Sequence, residues 1–149
     1  KVSTMDPAGS YDNGSFQVMN QVYPFLMNFV PGTGALEPDI AQRCAFSAPT
    51  TYNCVLKPGL KFASGNPISA EDVVFSFQRA VLLDKTPAFI LTQFGFTKEN
   101  VKQRIQQTGP LTLTLTTEKV FAPTFVLSPS GHSTKAIRFW MNAAFRRYS

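Results

Sequence analysis

The tightest constraint in this chain lies between Ile68 and Val81, "ISAEDVVFSFQRAV". Ser69 is a natural helix N-cap, and Asp72, three residues on, completes a capping box. Ile68 before the cap and Val73 four residues after it form a hydrophobic staple that fixes the entry angle. Val73, Val74, Phe77, Ala80 and Val81 then recur at helical spacing as one apolar stripe, with Glu71, Gln78 and Arg79 off it. A helix with its start, angle and buried face all specified must lie across an apolar partner layer. The rest of the chain has to supply that layer.

The approach to this helix, "PGLKFASGNP", raises the question of an anion-binding loop. Phosphate loops need a G-x-x-x-x-G-K-[ST] or G-x-G-x-x-G pattern between a strand and a helix. Here five residues separate Gly59 from Gly65, and no lysine follows. Glu71 and Asp72 complement the positive helix end themselves and repel a phosphate. The loop is therefore read as chain-shaping.

Strands are the natural partner layer. "RCAFSAPTTYNCVL" reads as a hairpin turning at Ala48-Pro49-Thr50, which sets Cys44 opposite Cys54 and Phe46 opposite Tyr52 on one face. Directly opposed cysteines meet disulfide geometry, so a Cys44–Cys54 bridge and an oxidising compartment are expected. Two unlinked buried thiols are the alternative. "LTLTLTT", Leu111 to Thr117, alternates strictly and predicts a half-buried strand. A helix is expected from Lys98 to Gln107, capped by Thr97 and stopped by Gly109-Pro110. Upstream, "MDPAGSYDNGS" reads as a loop, and Phe16, Met19, Val22, Tyr23 and Leu26 predict a helix that Pro24 ends or kinks. "VPGTGALEPDIAQ" reads as a turn-rich connection.

Catalytic chemistry has little to stand on. His132 is the single histidine and lies in the loop-like "PSGHST". G-x-S-x-G and HExxH are absent, no C-x-x-C exists, and the nine Asp and Glu residues are scattered. No enzyme activity, cofactor or metal is expected. Nor does the net charge of +5 describe a nucleic-acid face, because residues 119–149 carry no acid and four of their basic residues, Lys135, Arg138, Arg146 and Arg147, account for most of the excess. From Ser133 that tail has the spacing of a basic amphipathic helix, with Ile137, Trp140, Met141, Ala144 and Phe145 on the apolar side. Packing on its own domain and binding a partner or membrane surface are both open. No apolar run approaches the roughly 20 residues of a membrane-spanning helix. The chain opens at Lys1 without a signal-peptide pattern, as expected of a mature or trimmed protein.

The order of segments, "MDPAGSYDN…VYPFLM", "LEPDIAQ" and then "YNCVLKPGLKFASGNPISAEDVVFSFQRA", resembles the family 5 extracellular solute-binding proteins, the peptide- and nickel-binding components of ABC importers. Leu56 to Phe77 matches the family hallmark at almost every position. Asp6-Pro7 and Pro38-Asp39 match its L-D-P and P-D-[LI]-A motifs. The resemblance covers roughly residues 2–127. It implies an α+β fold, the first lobe of a two-lobed, class II periplasmic-binding-protein-like architecture. That lobe would have a mixed sheet with a β-hairpin and packed helices, and the second lobe would be absent from this sequence. By the same resemblance residues 1–127 are part of an N-terminal lobe, and residues 128–149 a tail of different character that suits a truncated, frameshifted or engineered end.

The implied function is capture of a peptide or similar small solute outside the cytoplasm and its delivery to an ABC permease. No nucleic-acid partner is implied. The stretch after the D-P motif lies on the cleft side in this family, which carries ligand contact to Tyr11, Asn13 and Gly14; a surface loop with a helix cap is the competing reading of those three. The competing function is a non-binding interaction module that forms a homo-oligomer or contacts a membrane surface.

Overall fold

The computed structural model describes residues 1–120, Pro31 and Gly34 excepted. Its frame is a four-stranded antiparallel sheet crossed on one face by the helix that the capping box begins. The strands are β3 (Ala41–Ala48), β4 (Thr51–Leu56), β5 (Ile105–Gly109) and β6 (Thr112–Thr116), in the order β3-β4-β6-β5. A smaller antiparallel pair, β1 (Met27–Phe29) and β2 (Leu36–Pro38), precedes them.

The β3–β4 hairpin has the register its sequence predicts: Cys44 faces Cys54 and Phe46 faces Tyr52. The disulfide joins the two cysteines, and the Phe46 and Tyr52 rings lie 4.8 Å apart. A bulge between Ala41 and Arg43 absorbs an odd step in the chain, so Ala41 turns inward on the same face as Cys44. Along β4 and β6 burial alternates strictly: Tyr52, Cys54, Leu56, Leu113 and Leu115 point into the core, and Thr112, Thr114 and Thr116 stand on the other face. On that outer face Asn53 donates to Ser47 at 2.7 Å and accepts from Thr114 at 2.6 Å.

Helix α2 (Ala70–Leu83) lies against the inner face. The Ser69 N–H donates to the Asp72 carboxylate at 2.9 Å and the Ser69 hydroxyl at 2.8 Å. Such a cap is worth about 1 kcal/mol. All five stripe residues, Val73, Val74, Phe77, Ala80 and Val81, are buried, as is Ile68 of the staple. They share one core with Phe25, Leu26, Ile40, Phe94, Phe96, Val101 and Ile105.

Three expectations are corrected. The helix placed over Lys98–Gln107 is only a turn. Thr97 and Asn100 exchange backbone-to-side-chain bonds, Thr97 N–H to Asn100 at 2.9 Å and Asn100 N–H to Thr97 at 3.3 Å. The helix then spans Val101–Arg104, and Ile105–Gly109 is strand. Val101 and Ile105 satisfy helical spacing, but Gln106 and Gln107 gain ladder bonds by pairing with Thr114 and Leu113. Tertiary pairing overrides a short local preference.

The first helix, α1 (Asn13–Val22), ends ahead of Pro24 as expected, but Tyr23 is its C-cap and Leu26 lies beyond it, buried next to β1. The connection read as turn-rich contains β2, paired with β1 as Met27↔Pro38 and Asn28↔Glu37. There the Asp39 carboxylate accepts the Phe25 N–H at 2.7 Å. Between α2 and β5 run a 3-10 turn (Thr86–Ala88) and two single-turn helices, α3 (Phe89–Thr92) and α4 (Val101–Arg104). The basic tail, His132 and the segment after Val120 lie outside the described residues.

Candidate functional site

The glycine loop before α2 closes on itself. Phe62 N–H reaches Asn66 O, Gly65 N–H reaches Phe62 O and Ile68 N–H reaches Leu60 O, each at 2.9 Å. Gly59 and Gly65 adopt φ of 77° and 87°, a left-handed region that disfavours side chains. The Ala70 N–H, one of the first amides an anion at this helix end would use, donates instead to Pro110 O at 2.9 Å. The loop is a joint between α2 and the β5–β6 turn, as its sequence implies.

The residues that the family resemblance singles out lie in the first turn of α1 and the loop before it. Asp12 is the N-cap of α1. Its carboxylate accepts the Ser15 N–H and hydroxyl, each at 2.8 Å, the Ser10 hydroxyl at 3.1 Å and the Ser3 hydroxyl. Those donors, the Ser3 hydroxyl foremost, hold the Asp12 carboxyl well below the usual carboxylate range. Ser10 and Ser15 are fully buried, and Ser3 N–H donates to Ser15 Oγ at 3.0 Å. The cap thus pins residues 1–3 across the start of α1. Gly14 makes that crossing possible, because a Cβ built there would collide with the Lys1 carbonyl.

Tyr11 is 51% exposed, and its ring makes edge contacts with Phe16 at 5.7 Å and with Phe89 at 5.3 Å. Asn13 is exposed at the first helical position. Of the three residues singled out from the sequence, Tyr11 and Asn13 face solvent, while Gly14 lies under the N-terminal segment.

The loop is held from behind by Asp6. Its carboxylate meets the Arg79 guanidinium through two bonds of 2.9 and 2.7 Å and also accepts the Ala8 N–H at 3.1 Å. Hydrogen bonding to Asp6 raises the Arg79 pKa and keeps the guanidinium charged. The Asp6 N–H goes to Thr4 Oγ1 at 3.1 Å, and Tyr23 donates to the Met5 carbonyl at 3.2 Å. Arg79 and Gln78 lie off the apolar stripe of α2, and the sequence assigns them no partner. In fact Arg79 crosses to residue 6, and Gln78 donates to the Ile105 carbonyl at 2.8 Å.

The sequence carries no local signal for either contact, nor for Phe89 beside Tyr11. The Asp12 cap was readable from Asp-x-x-Ser ahead of an apolar stripe. Among the described residues no three His, Cys, Asp or Glu side chains converge as metal ligands, and no helix is long and apolar enough to cross a membrane.

Residues 35–144 match the sequence profile of the bacterial extracellular solute-binding proteins, family 5 Middle, a span that runs past residue 127. Among curated proteins, the chain is 32% identical over 90 residues to a probable D,D-dipeptide-binding periplasmic protein, DdpA, of Escherichia coli, covering 57% of this chain and 17% of that protein. It is 25% identical over 77 residues to an HTH-type transcriptional regulator, SgrR, of Pectobacterium atrosepticum, covering 52% of this chain and 14% of the regulator. The chain thus spans less than a fifth of the curated relatives it matches. Among solved structures, the fold is similar to the periplasmic murein tripeptide binding protein MppA in its unliganded open form. The TM-score is 0.77 at 19% identity, covering 94% of this chain and 27% of that one.

Proposed function

This chain belongs to the bacterial extracellular solute-binding proteins of family 5, and from that premise we propose that it supplies part of the cleft wall for a peptide-type solute in an ABC import system. The observation that carries the reading is the exposed Tyr11 ring, steadied by Phe16 and Phe89 and set beside Asn13, on a loop tied to α2 by the Asp6–Arg79 pair. An aromatic ring braced at its edges offers contact area at little entropic cost. Asn13 adds an amide that can both donate and accept, suited to a peptide main chain. Gly14 acts by keeping the segment above it close.

Binding of this kind needs no chemical step. A second lobe would close over the solute and exclude water. A periplasmic or cell-surface location, with an ABC permease as partner, follows from the same reading, and the Cys44–Cys54 disulfide supports it.

The test is calorimetric titration of this chain with a mixed library of di- to oligopeptides, repeated with Tyr11→Ala. Saturable heat that Tyr11→Ala weakens is the expected result. Saturable heat that Tyr11→Ala leaves unchanged would remove the site.

A second reading, self-association, draws on the exposed Val18, Val22, Leu82 and Leu83. It predicts no heat with the library and a solution mass that rises with protein concentration.

A further inference from the structure

Asn13 is followed by Gly14, and the surroundings of that pair differ from those of every other described asparagine. Deamidation begins when the backbone nitrogen of the next residue attacks the asparagine Cγ. It needs a following residue that does not crowd the attack, a nitrogen not locked in a hydrogen bond, and freedom to rotate the backbone between them.

Asn66 precedes Pro67, whose nitrogen carries no proton to lose. Asn53 lies in the middle of β4 with its carboxamide held by Ser47 and Thr114. Asn100 donates its amide to the Gly95 carbonyl at 2.9 Å, and the following Val101 N–H is bound to Thr97 O at 2.9 Å. Asn28 is paired in β1, and Asn20 lies inside α1 before Gln21. Asn13, by contrast, is exposed at the first position of α1, where the rotation that the attack needs requires only that the terminal turn fray and lift from the Lys1 carbonyl packed over Gly14. The Gly14 N–H belongs to the helix's first turn, where no intrahelical acceptor exists, and the four donors on Asp12 come from Ser3, Ser10 and Ser15.

We propose that Asn13 is a site of spontaneous deamidation, the one described asparagine whose fold leaves the reaction open. The Gly14 nitrogen gives up its proton to a water or hydroxide base and bonds to Asn13 Cγ. The Cγ–Nδ2 bond breaks, and ammonia leaves. One water then opens the five-membered imide at either carbonyl, leaving aspartate or isoaspartate; the net change is one water consumed and one ammonia released.

An aspartate would put a second carboxylate next to Asp12. An isoaspartate would route the main chain through the side chain and lengthen it by one methylene, just where Gly14 is packed under the Lys1 carbonyl. Either product alters the surface beside Tyr11 and loosens residues 1–3, whether or not that surface binds a solute.

The experiment is ageing of the whole chain in mildly alkaline buffer, with peptide mapping and electron-transfer fragmentation to place each amide-to-acid change. A urea-unfolded sample and an Asn13→Ser variant run in parallel. Circular dichroism of the aged sample confirms that it stays folded. Conversion is expected at Asn13 ahead of Asn20, Asn28, Asn53 and Asn100. Its folded rate should lie within about tenfold of the unfolded rate, the factor that fraying one terminal turn at about 1.4 kcal/mol allows. Asn13→Ser should remove the early conversion and leave the slower sites unchanged. Protection of Asn13 beyond about a hundredfold, or earlier conversion of any other described asparagine in the folded chain, would overturn the proposal.

Discussion

Severing the Asp6–Arg79 pair tests how the exposed loop is held. The two bonds, 2.9 and 2.7 Å, are charge-assisted and bidentate. The side chains are 26% and 14% exposed, so the pair belongs neither to the surface class, worth about 0–1 kcal/mol, nor to the fully buried class, whose rupture costs about 3–5 kcal/mol. An intermediate cost of about 2 kcal/mol is expected for Arg79→Met. Asp6→Ala also strands the Ala8 N–H, one more hydrogen bond of about 1 kcal/mol, giving about 3 kcal/mol in total. The double variant should cost no more than Asp6→Ala alone, which puts the coupling near 2 kcal/mol. Urea unfolding followed by circular dichroism reads all three, provided the m-value stays constant and only the midpoint moves. Hydrogen exchange adds a local readout, with amides of residues 8–16 losing protection before those of β4 and β6. A coupling below about 0.5 kcal/mol would show that the contact with Arg79 is incidental and that the other bonds of the loop hold it.

Three further outcomes follow from the structure. Replacing Cys44 and Cys54 by serine should lower stability by about 2–3 kcal/mol, the loss of the constraint that the bridge puts on the unfolded chain, kept modest by the short loop it closes; a melting comparison with the oxidised chain measures it, and an unchanged transition would refute it. Burial pushes the Tyr52 phenol up from 10.0 to about 12. Since the raised value belongs to the folded state, the stabilising contribution is complete below pH 10.0 and is lost as pH climbs towards about 12. Alkaline unfolding curves should show that decline, and Tyr52→Phe should flatten it. Gly14→Ala should push Lys1–Ser3 off α1 at a cost of about 1–2 kcal/mol, seen as faster exchange of the Ser3 amide; unchanged exchange would mean that the crossing has slack.

What the sequence made legible was local chemistry with a fixed period. The capping box and staple placed α2, and strict alternation placed β6. In the cysteine hairpin, the turn at Pro49-Thr50 and four inward residues left one consistent register. What it hid was contact between distant segments. Ile105–Gly109 resembles a helix end until β6 offers it ladder bonds. Gln78 and Arg79 sit off the apolar stripe, and nothing near them in the sequence points to the carbonyl of Ile105 or the carboxylate of Asp6 that they meet. At the candidate surface, Tyr11, Asn13 and Gly14 came from family resemblance. Phe89, which braces Tyr11, could not be found that way, since it lies far along the chain and is joined to Tyr11 only by the fold.

The strand order carries a consequence for how the molecule is assembled in time. β3 with β4, and β5 with β6, are each neighbours in sequence, so each hairpin can zip within microseconds of its synthesis. The seam between them is different, because Cys54 meets Leu113 only after α2 and everything around it has been threaded into the intervening loop. The larger entropy of closure falls on that one joint, so β4–β6 docking is the most costly pairing in the sheet to bring together. Until it happens, the apolar stripe of α2 has half a floor to lie on. A chain interrupted before β6 would then hold one finished hairpin and a well-capped helix, with the surface meant to bring them together still missing.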